Sequence, residues 1–347
     1  MKIAIIGLGL IGGSWGLALK EWAKSEEGKT AGLEVVGFDA KGAQRHEAER
    51  LKVVDFTVQT PMEAVKDASV VIVATPVVAI RETFEDIAAV LMNGAVVTDV
   101  ASTKRDVIRW ARELLPTTVS FVGGHPMAGK TASLEEADST LFKGCTYCLI
   151  PASNAKEEAI DAVTRLVEII GAKPHFIDQD EHDAYVAAIS HMPFLSAVTL
   201  VNLATSSEGW REISRLASTG FQDTTRLASG STQMWLDICR TNSDSIISWL
   251  DRYQDQLSSL RAMVEMAGLR DEQGRSRSIE STNPEPLKSY LEKARDGRDK
   301  IELAKQQQRK EESFETVPMP SKQEMRGEMS RLFTGGIFNR RKKDDQK

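Results

Sequence analysis

The sequence predicts an α/β protein: a doubly wound sheet of the Rossmann type at the N-terminal side, followed by an all-α helical domain. Through the first half of the 347-residue chain, short apolar runs rich in β-branched residues alternate with helical patterns. This alternation is typical of a mostly parallel sheet with helices on both faces. After about residue 180 the strand runs stop and long helical patterns take over.

The first element reads as a strand, a glycine turn and the start of a helix. An apolar run covers residues 2–6, and three glycines follow in G-x-G-x-x-G spacing. In such a turn the first glycine allows a tight bend, the second lets the backbone approach a pyrophosphate, and the third lets helix and strand pack closely. The helix N-terminus adds N–H groups and a positive dipole end. We therefore predict that a dinucleotide binds at Gly7, Leu8, Gly9, Leu10, Ile11 and Gly12.

The second predicted strand, 33–38, ends in Asp39, where such folds use a carboxylate to bind the adenosine ribose. Asp39 lies further from the glycines than the usual ~20 residues, and a polar insert at 24–32 explains the excess as a longer helix end and loop. A carboxylate at this position would repel a 2′-phosphate. The sequence therefore favours NAD, and the nearby Lys41 and Arg45 keep NADP open as the alternative.

The alternation of strands and helices continues to about residue 178. An apolar run at 68–74 is followed by Thr75 and Pro76, and open α/β sheets bind ligands at the carboxyl ends of their strands. We therefore predict that these two residues lie beside the cofactor. Further strands are predicted at 95–99, 119–122, 146–150 and 175–178, with helices at 78–91, 105–115 and 155–170.

Three parts of the chain follow from this pattern. They are a dinucleotide-binding domain at 1–179, a helical substrate and dimerisation domain at 180–308, and a charged tail at 309–347 whose composition predicts disorder. The helical part has more apolar positions than one small bundle needs. This surplus suggests a homodimer interface, with burial inside the chain as the alternative.

Composition argues against several other classes of protein. A net charge of −6 argues against a general nucleic-acid binder, and no apolar run approaches the ~20 residues of a membrane span. Three cysteines cannot all pair, which fits a reducing cytoplasm. Cys145 and Cys148 form a C-x-x-C without a second pair of ligands, so no metal site is predicted.

A nicotinamide cofactor implies hydride transfer, and a carbinol that loses hydride also loses its hydroxyl proton to a positioned base. Histidine suits this task because its ordinary pKa of ~6.5 leaves a neutral imidazole at cytoplasmic pH. Of the five histidines, only His125 falls in a glycine-rich loop, 123–129, at the carboxyl end of a predicted strand. His125 is therefore the candidate base, with capping of backbone groups as the alternative role.

Several motifs together resemble the prephenate/arogenate dehydrogenases of tyrosine biosynthesis, in both order and spacing. The resemblance covers roughly residues 1–300 and leaves out the tail. Its motifs are the glycine turn with Asp39, ATPV at 74–77, DVASTK at 99–104, GGHPMAG at 123–129, SHMP at 190–193, and GFQDTTR at 220–226 followed by MW at 234–235.

The resemblance implies a reaction and a set of site residues. The reaction is the NAD-dependent oxidative decarboxylation of prephenate to 4-hydroxyphenylpyruvate, or of arogenate to tyrosine, without a metal. His125 would accept the hydrogen bond of the ring hydroxyl, Ser102 would help to orient it, and Arg226 would bind the ring carboxylate. His191 and Trp235 resemble pocket residues. The plain structural alternatives are a helix N-cap for Ser102, a surface salt bridge for Arg226 and core packing for Trp235.

One position departs from the family pattern. Many prephenate-specific members carry a second histidine after the proline of the SHxP motif, and this chain has Phe194 there. The choice between the pyruvyl side chain of prephenate and the alanyl side chain of arogenate therefore stays open.

Two other functions are alternatives. One is a β-hydroxyacid dehydrogenase or imine reductase, which would use a lysine in a glycine-containing helix of the second domain. The other is a non-catalytic dinucleotide-sensing module, which would have no need for His125, Ser102 and Arg226 together.

Overall fold

The structure, a computed structural model, describes residues 1–129, 132–271 and 273–314. The described residues divide into two compact units, the second of which begins at Ser248. The first unit contains an eight-stranded sheet and a set of helices that follow it. The described part of the second unit is helical apart from its connecting segment and one isolated bridge.

The strands lie in the order β3-β2-β1-β4-β5-β6-β7-β8. Neighbouring strands are parallel, except that β6 and β7 are antiparallel. The strands are β1 (Lys2–Ile6), β2 (Glu34–Phe38), β3 (Phe56–Thr57), β4 (Val70–Val73), β5 (Val96–Asp99), β6 (Ser120–Pro126), β7 (Thr146–Pro151) and β8 (Lys173–Phe176).

Helices connect the strands and then continue alone. The first seven are α1 (Leu10–Trp22), α2 (Glu26–Ala31), α3 (Gly42–Arg50), α4 (Pro61–Val65), α5 (Ala79–Ile87), α6 (Arg105–Leu114) and α7 (Glu157–Ile169). After β8 come α8 (Gln179–Val186), a π-helical turn (Ala187–His191), α9 (Met192–Thr205), α10 (Trp210–Leu216), α11 (Thr219–Thr225), α12 (Thr232–Thr241), α13 (Ser243–Ala267) and α14 (Glu285–Phe314).

The sheet has a hydrophobic core on each face, because successive side chains of a strand point to opposite sides. In β1, Ile3 and Ile5 belong to one buried cluster, and Ala4 and Ile6 belong to the other. Residues of α1, α3 and α7 complete the first cluster, whereas residues of α4, α5 and α6 complete the second. The predicted doubly wound sheet with helices on both faces is thus confirmed.

Several details differ from the sequence prediction. The two-residue strand β3 is too short to show a pattern in the sequence, and the insert at 24–32 contains the helix α2, capped by Ser25, instead of only a helix end and loop. Strand β8 starts at Lys173. Strand β6 continues to Pro126, so part of the predicted glycine-rich loop at 123–129 is a strand.

The helical pattern near the C-terminus extends further than predicted. Helix α14 runs to Phe314, six residues into the range 309–347 assigned to a disordered tail, and the rest of that range lies outside the described residues. Within the second unit, the Tyr290 hydroxyl of α14 and the Gln256 amide oxygen of α13 are 3.4 Å apart. The domain boundary expected near residue 180 stays a prediction.

One helical stretch, Gln179–Thr205, is long and apolar enough to suit a membrane span, whereas no such run was expected from the sequence. It comprises α8, the π turn and α9. Its Asp183 carboxylate is fully buried and accepts a hydrogen bond from the Lys104 N–H at the start of α6. This stretch is therefore packed against the sheet-bearing part of the first unit.

Candidate active site

The sheet leaves a crevice for a dinucleotide between β1 and β4. These strands are neighbours, and the strand order reverses between them, which is where open α/β sheets bind their ligands. Gly7 follows β1 with φ of +97°, and a Cβ there would lie 2.5 Å from the Ala74 carbonyl oxygen. Only glycine therefore fits this turn.

The other two glycines of the turn have different surroundings. A Cβ on Gly12 would lie 1.9 Å from the Gly7 carbonyl oxygen, whereas a Cβ on Gly9 would meet nothing within 4 Å. Helix α1 starts beside this open space with no side-chain cap and no acidic residue in its first turn, so its N-terminal N–H groups suit an anion. Nearby in the crevice, the Thr75 hydroxyl is buried without a hydrogen-bond partner among the described residues. These features fit the pyrophosphate of NAD.

Asp39 directly follows the second strand, as predicted, and its carboxylate supports the glycine turn. One oxygen accepts the Leu8 N–H at 3.0 Å, and the other accepts the Lys41 N–H at 2.9 Å. Each carboxylate oxygen can accept a further hydrogen bond, so these contacts are compatible with ribose binding. The Arg45 guanidinium is held by the Asp39 carbonyl oxygen at 2.6 Å and the Gln59 amide oxygen at 2.8 Å.

The remaining predicted cofactor residues lie around the same crevice but differ in what they can offer. The Leu8 and Leu10 side chains are buried in the core, so only their backbones can face a ligand. Ile11 is partly exposed at the start of α1, and Pro76 is exposed after β4.

Replacing Gly9 with alanine is expected to weaken NAD binding about tenfold or more without destabilising the apo protein, because the added methyl group would occupy only the open space. Gly12→Ala is the matched control. Its methyl group would clash with the Gly7 carbonyl, so we expect this variant to lower the melting temperature. Titration calorimetry with NAD and thermal unfolding of both variants measure these effects. A stable Gly9→Ala protein with wild-type NAD affinity would show that the pyrophosphate lies elsewhere.

A buried ion pair lies at the carboxyl end of β5, the strand next to β4. The Lys104 ammonium group pairs with the Asp99 carboxylate, and both side chains are fully buried. Asp99 also accepts the Ala101 N–H at 2.8 Å and the Gly124 N–H at 3.1 Å, while the Lys104 ammonium donates to the Gly124 carbonyl at 2.7 Å. The DVASTK motif thus anchors the backbone immediately before His125.

His125 is a strand residue, contrary to the predicted loop position. It lies near the carboxyl end of β6, opposite Cys148 of β7. Its Nδ1 is 2.9 Å from Nε2 of His182, and the two rings meet edge to face. Burial lowers the pKa of His125 well below the ordinary histidine value, and the nearby His182, Lys104 and His191 lower it further. The ring is therefore neutral at physiological pH.

Asp183 connects this histidine pair to α6. Its carboxylate is 2.9 Å from Nδ1 of His182 and accepts the N–H groups of Lys104 and Arg105 at 2.8 and 3.0 Å. The alternative role of Ser102 as the helix cap is therefore wrong. The helix begins three residues after Ser102, and the side chain of a residue distant in sequence satisfies its first N–H groups. Ser102 is partly exposed in the turn between β5 and α6.

His191 and Trp235 lie together on the helical side of the site. His191 ends the π-helical turn, a local widening often found at functional sites, and its Nδ1 is 3.3 Å from the Asn242 amide nitrogen. Trp235 meets His191 edge to face and stacks on Phe194 at 3.7 Å between centroids. Phe194 thus provides a flat apolar contact at the position that follows the proline of the SHMP motif.

Arg226 is exposed at the start of a short 3-10 turn, Arg226–Ser229, that packs against α9. None of the ion pairs of the described residues includes its guanidinium group, so a surface salt bridge does not account for it. Within the described ranges, the structure connects His125, His182, Asp183 and His191 through hydrogen bonds and shared partners. It shows no such contact from Arg226 to this group.

The burial of His191 should make stability depend on pH. Burial lowers the pKa of His191 from 6.5 to about 4, so between these values the unfolded chain binds a proton that the folded protein excludes. The free energy of unfolding should therefore decrease as pH falls from 6.5 towards 4, and His191 should contribute about 3 kcal/mol of this decrease. His125 should act in the same direction. Urea unfolding at several pH values measures this. We expect the free energy of unfolding to depend less steeply on pH in His191→Gln than in a control variant of the exposed His175. Equal slopes would contradict the prediction.

Three residues of the site, His182, Asp183 and Asn242, are not predicted from the sequence. The available signal was a histidine and an aspartate side by side directly before an apolar helical run. Because charged residues are seldom fully buried without a partner, only their burial in the fold reveals a role.

The fold and this site define a class of protein. A doubly wound sheet with a glycine-lined crevice at its switch point, and a neutral histidine at the same edge, is the arrangement of a nicotinamide-dependent dehydrogenase. Two family models narrow this class. The nucleotide-binding domain of prephenate dehydrogenase matches residues 22–175, and its dimerization domain matches residues 178–280.

Individual relatives agree with the family models. The chain is 34% identical to prephenate dehydrogenase of Bacillus subtilis over 87% of this chain and 76% of that protein, and 32% identical to that of Lactococcus lactis over 76% and 71%. The Synechocystis arogenate dehydrogenase structure has a TM-score of 0.70 at 26% identity and covers 87% of this chain and 100% of its own. An A. aeolicus prephenate dehydrogenase structure, at 24% identity, shows the shared fold with a TM-score of 0.75 over 87% of this chain and 98% of its own.

The chain therefore belongs to the prephenate dehydrogenase family, which confirms the resemblance found in its motifs. It is an NAD-dependent oxidoreductase with a Rossmann-type domain.

Proposed function

We propose that this protein catalyses the oxidative decarboxylation of a 4-hydroxycyclohexadienyl carboxylate, either prephenate or arogenate, and so forms 4-hydroxyphenylpyruvate or tyrosine with release of CO2. NAD supplies the hydride acceptor when bound. The observation that carries this proposal is the position of His125 near the carboxyl end of β6, with its Nδ1 held by His182. Because β6 runs parallel to β1 and β4 through the intervening strands, this end lies on the same edge of the sheet as the dinucleotide crevice.

In this proposal each site residue has a distinct task. His125 accepts the proton of the ring hydroxyl at Nε2, the nitrogen that does not face His182, and Ser102 helps to orient that hydroxyl. Arg226 binds the ring carboxylate, since a planar guanidinium suits a two-pronged contact with a carboxylate. His191 and Trp235 line the pocket and exclude water. As CO2 leaves, its bonding electrons stay in the ring, and the ring becomes aromatic, which makes the step favourable. The resulting phenolate oxygen regains its proton from His125.

Initial rates of cofactor reduction test the proposal. Purified enzyme is assayed with prephenate and with arogenate, each with NAD and with NADP. We expect reduction with at least one substrate and a preference for NAD, because Asp39 would repel a 2′-phosphate. The ratio of kcat/KM values identifies the preferred substrate. Absence of reduction in every combination would overturn the proposal.

Loss of the Arg226 guanidinium should act mainly on substrate binding, because the ring carboxylate is present before the reaction starts. We expect Arg226→Ala to raise the substrate KM roughly tenfold to a hundredfold, the equivalent of one or two charge-assisted hydrogen bonds. The KM for NAD should stay unchanged. Arg81→Ala is the control, since Arg81 is an exposed arginine of α5 paired only with Glu85 among the described residues. An unchanged substrate KM for Arg226→Ala would contradict the assignment.

We also propose that the helical part forms a homodimer. Helix α9 buries only Met192, Phe194 and Ala197 in the chain, while Leu203 is 70% exposed and Ile189 in the preceding turn is 68% exposed. Apolar surface of this kind is typical of a subunit interface, and burial against a second copy would explain why the stretch is apolar enough to suit a membrane. Sedimentation velocity distinguishes the dimer from the monomer.

The proposed location is the cytoplasm. All three cysteines, Cys145, Cys148 and Cys239, are free thiols, the state that a reducing compartment maintains. Fractionation of cells followed by detection of the protein tests this location.

A further inference from the structure

A continuous chain of hydrogen bonds leads from the N-terminus of α6 to His125. The N–H groups of Lys104 and Arg105 donate to Asp183, whose carboxylate lies 2.9 Å from Nδ1 of His182. Nε2 of His182 lies 2.9 Å from Nδ1 of His125. Asp183 and His182 are 0% and 1% exposed, so water does not compete for these contacts.

The carboxylate of Asp183 determines the proton positions along this chain of hydrogen bonds. An ionised carboxylate only accepts hydrogen bonds, so Nδ1 of His182 must carry the proton that points to Asp183. A neutral His182 then has a bare Nε2, which can only accept a hydrogen bond from His125. Nδ1 of His125 must therefore carry its proton, and Nε2 of His125 is left with the free lone pair.

Asp183 is placed to accept hydrogen bonds as a carboxylate. Its two oxygens cap the first N–H groups of α6, and the positive end of the helix dipole stabilises a negative charge there. The Asn242 amide donates to the Asp183 backbone carbonyl at 2.8 Å and so helps to hold this residue in place. The titratable groups that act on His125 or share its surroundings are His182, Lys104, His191, Asp183 and Cys148.

We propose that His182, oriented by Asp183, is a positioning residue that holds His125 in the tautomer with a proton on Nδ1 and a proton-accepting Nε2. This proposal rests on the proposed role of His125 as the base. Without His182, the ring of His125 would be free to adopt the Nε2–H form, which predominates in free histidine and cannot accept the substrate proton at Nε2.

The tautomer of His125 can be measured without any turnover, so failure of this proposal is distinguishable from failure of the proposed function. Full-length protein labelled with ¹⁵N-histidine gives long-range ¹H–¹⁵N spectra in which protonated and bare ring nitrogens have different shifts. His125→Asn identifies the signals of His125. We expect the Nδ1–H form in the wild type and a shift towards the Nε2–H form in His182→Leu. A wild-type His125 with its proton on Nε2 would overturn the proposal.

Kinetics of two His182 variants provide the second arm of the test. His182→Leu should lower kcat about tenfold to a hundredfold with little change in KM, as expected for a base held in the wrong tautomer. His182→Gln should retain most of kcat, because its amide oxygen can accept the hydrogen bond from Nδ1 of His125. Equal losses of kcat in folded His182→Leu and His182→Gln variants would show that His182 only packs against His125.

Discussion

Replacing His125 with asparagine is expected to lower kcat by about a hundredfold or more while KM changes little. The ring hydroxyl must lose its proton as the carbon loses hydride, so the acceptor acts on charge that develops only in the transition state. An asparagine side chain fills similar space and keeps a polar group near His182 but has no basic nitrogen. Steady-state rates with saturating NAD measure the effect.

The control for this variant is His175→Asn, a histidine of the same sheet that is exposed on β8. Both proteins should show wild-type thermal unfolding and NAD binding, so that a lost rate reports chemistry and not folding. Turnover of His125→Asn at near the wild-type rate would show that the proton acceptor lies elsewhere.

Replacing Lys104 with methionine is expected to lower the free energy of unfolding by about 3–5 kcal/mol. Asp99 would remain buried without its cation partner, and the Gly124 carbonyl would lose a hydrogen bond. A typical domain has only about 5–15 kcal/mol of stability in total, so this loss would be severe. Urea unfolding followed by circular dichroism measures it.

Two further variants separate the buried charge from other effects. Lys24→Met removes an exposed pair with Glu21 and should cost no more than about 1 kcal/mol. Adding Asp99→Asn to Lys104→Met should recover part of the loss, because no unpaired buried charge then remains. A Lys104→Met protein as stable as the Lys24 control would show that the buried pair is not important for folding.

The sequence by itself determined the fold class and the position of the glycine turn. Parallel strands that are buried on both faces must be apolar throughout, and a close approach of the backbone to a ligand requires glycine. Local residue patterns therefore predict both features. The strand at 2–6, the glycine turn and the change to helices after β8 were predicted in this way. The family motifs also indicated His125, Arg226 and Trp235.

Only the tertiary structure decided how the site is held together. Strand β7 pairs with the residues after Gly123, so His125 belongs to a strand where local glycine content favoured a loop. The cap of α6 comes from Asp183, 79 residues from Lys104 in sequence, and the partner of His125 is 57 residues away. Such contacts depend on how distant segments pack, and a local pattern cannot show them because neither partner is unusual until both are buried. The identity of the candidate base could therefore be predicted from sequence, but its proton position, its low pKa and the buried ion pair beside it depend on packing.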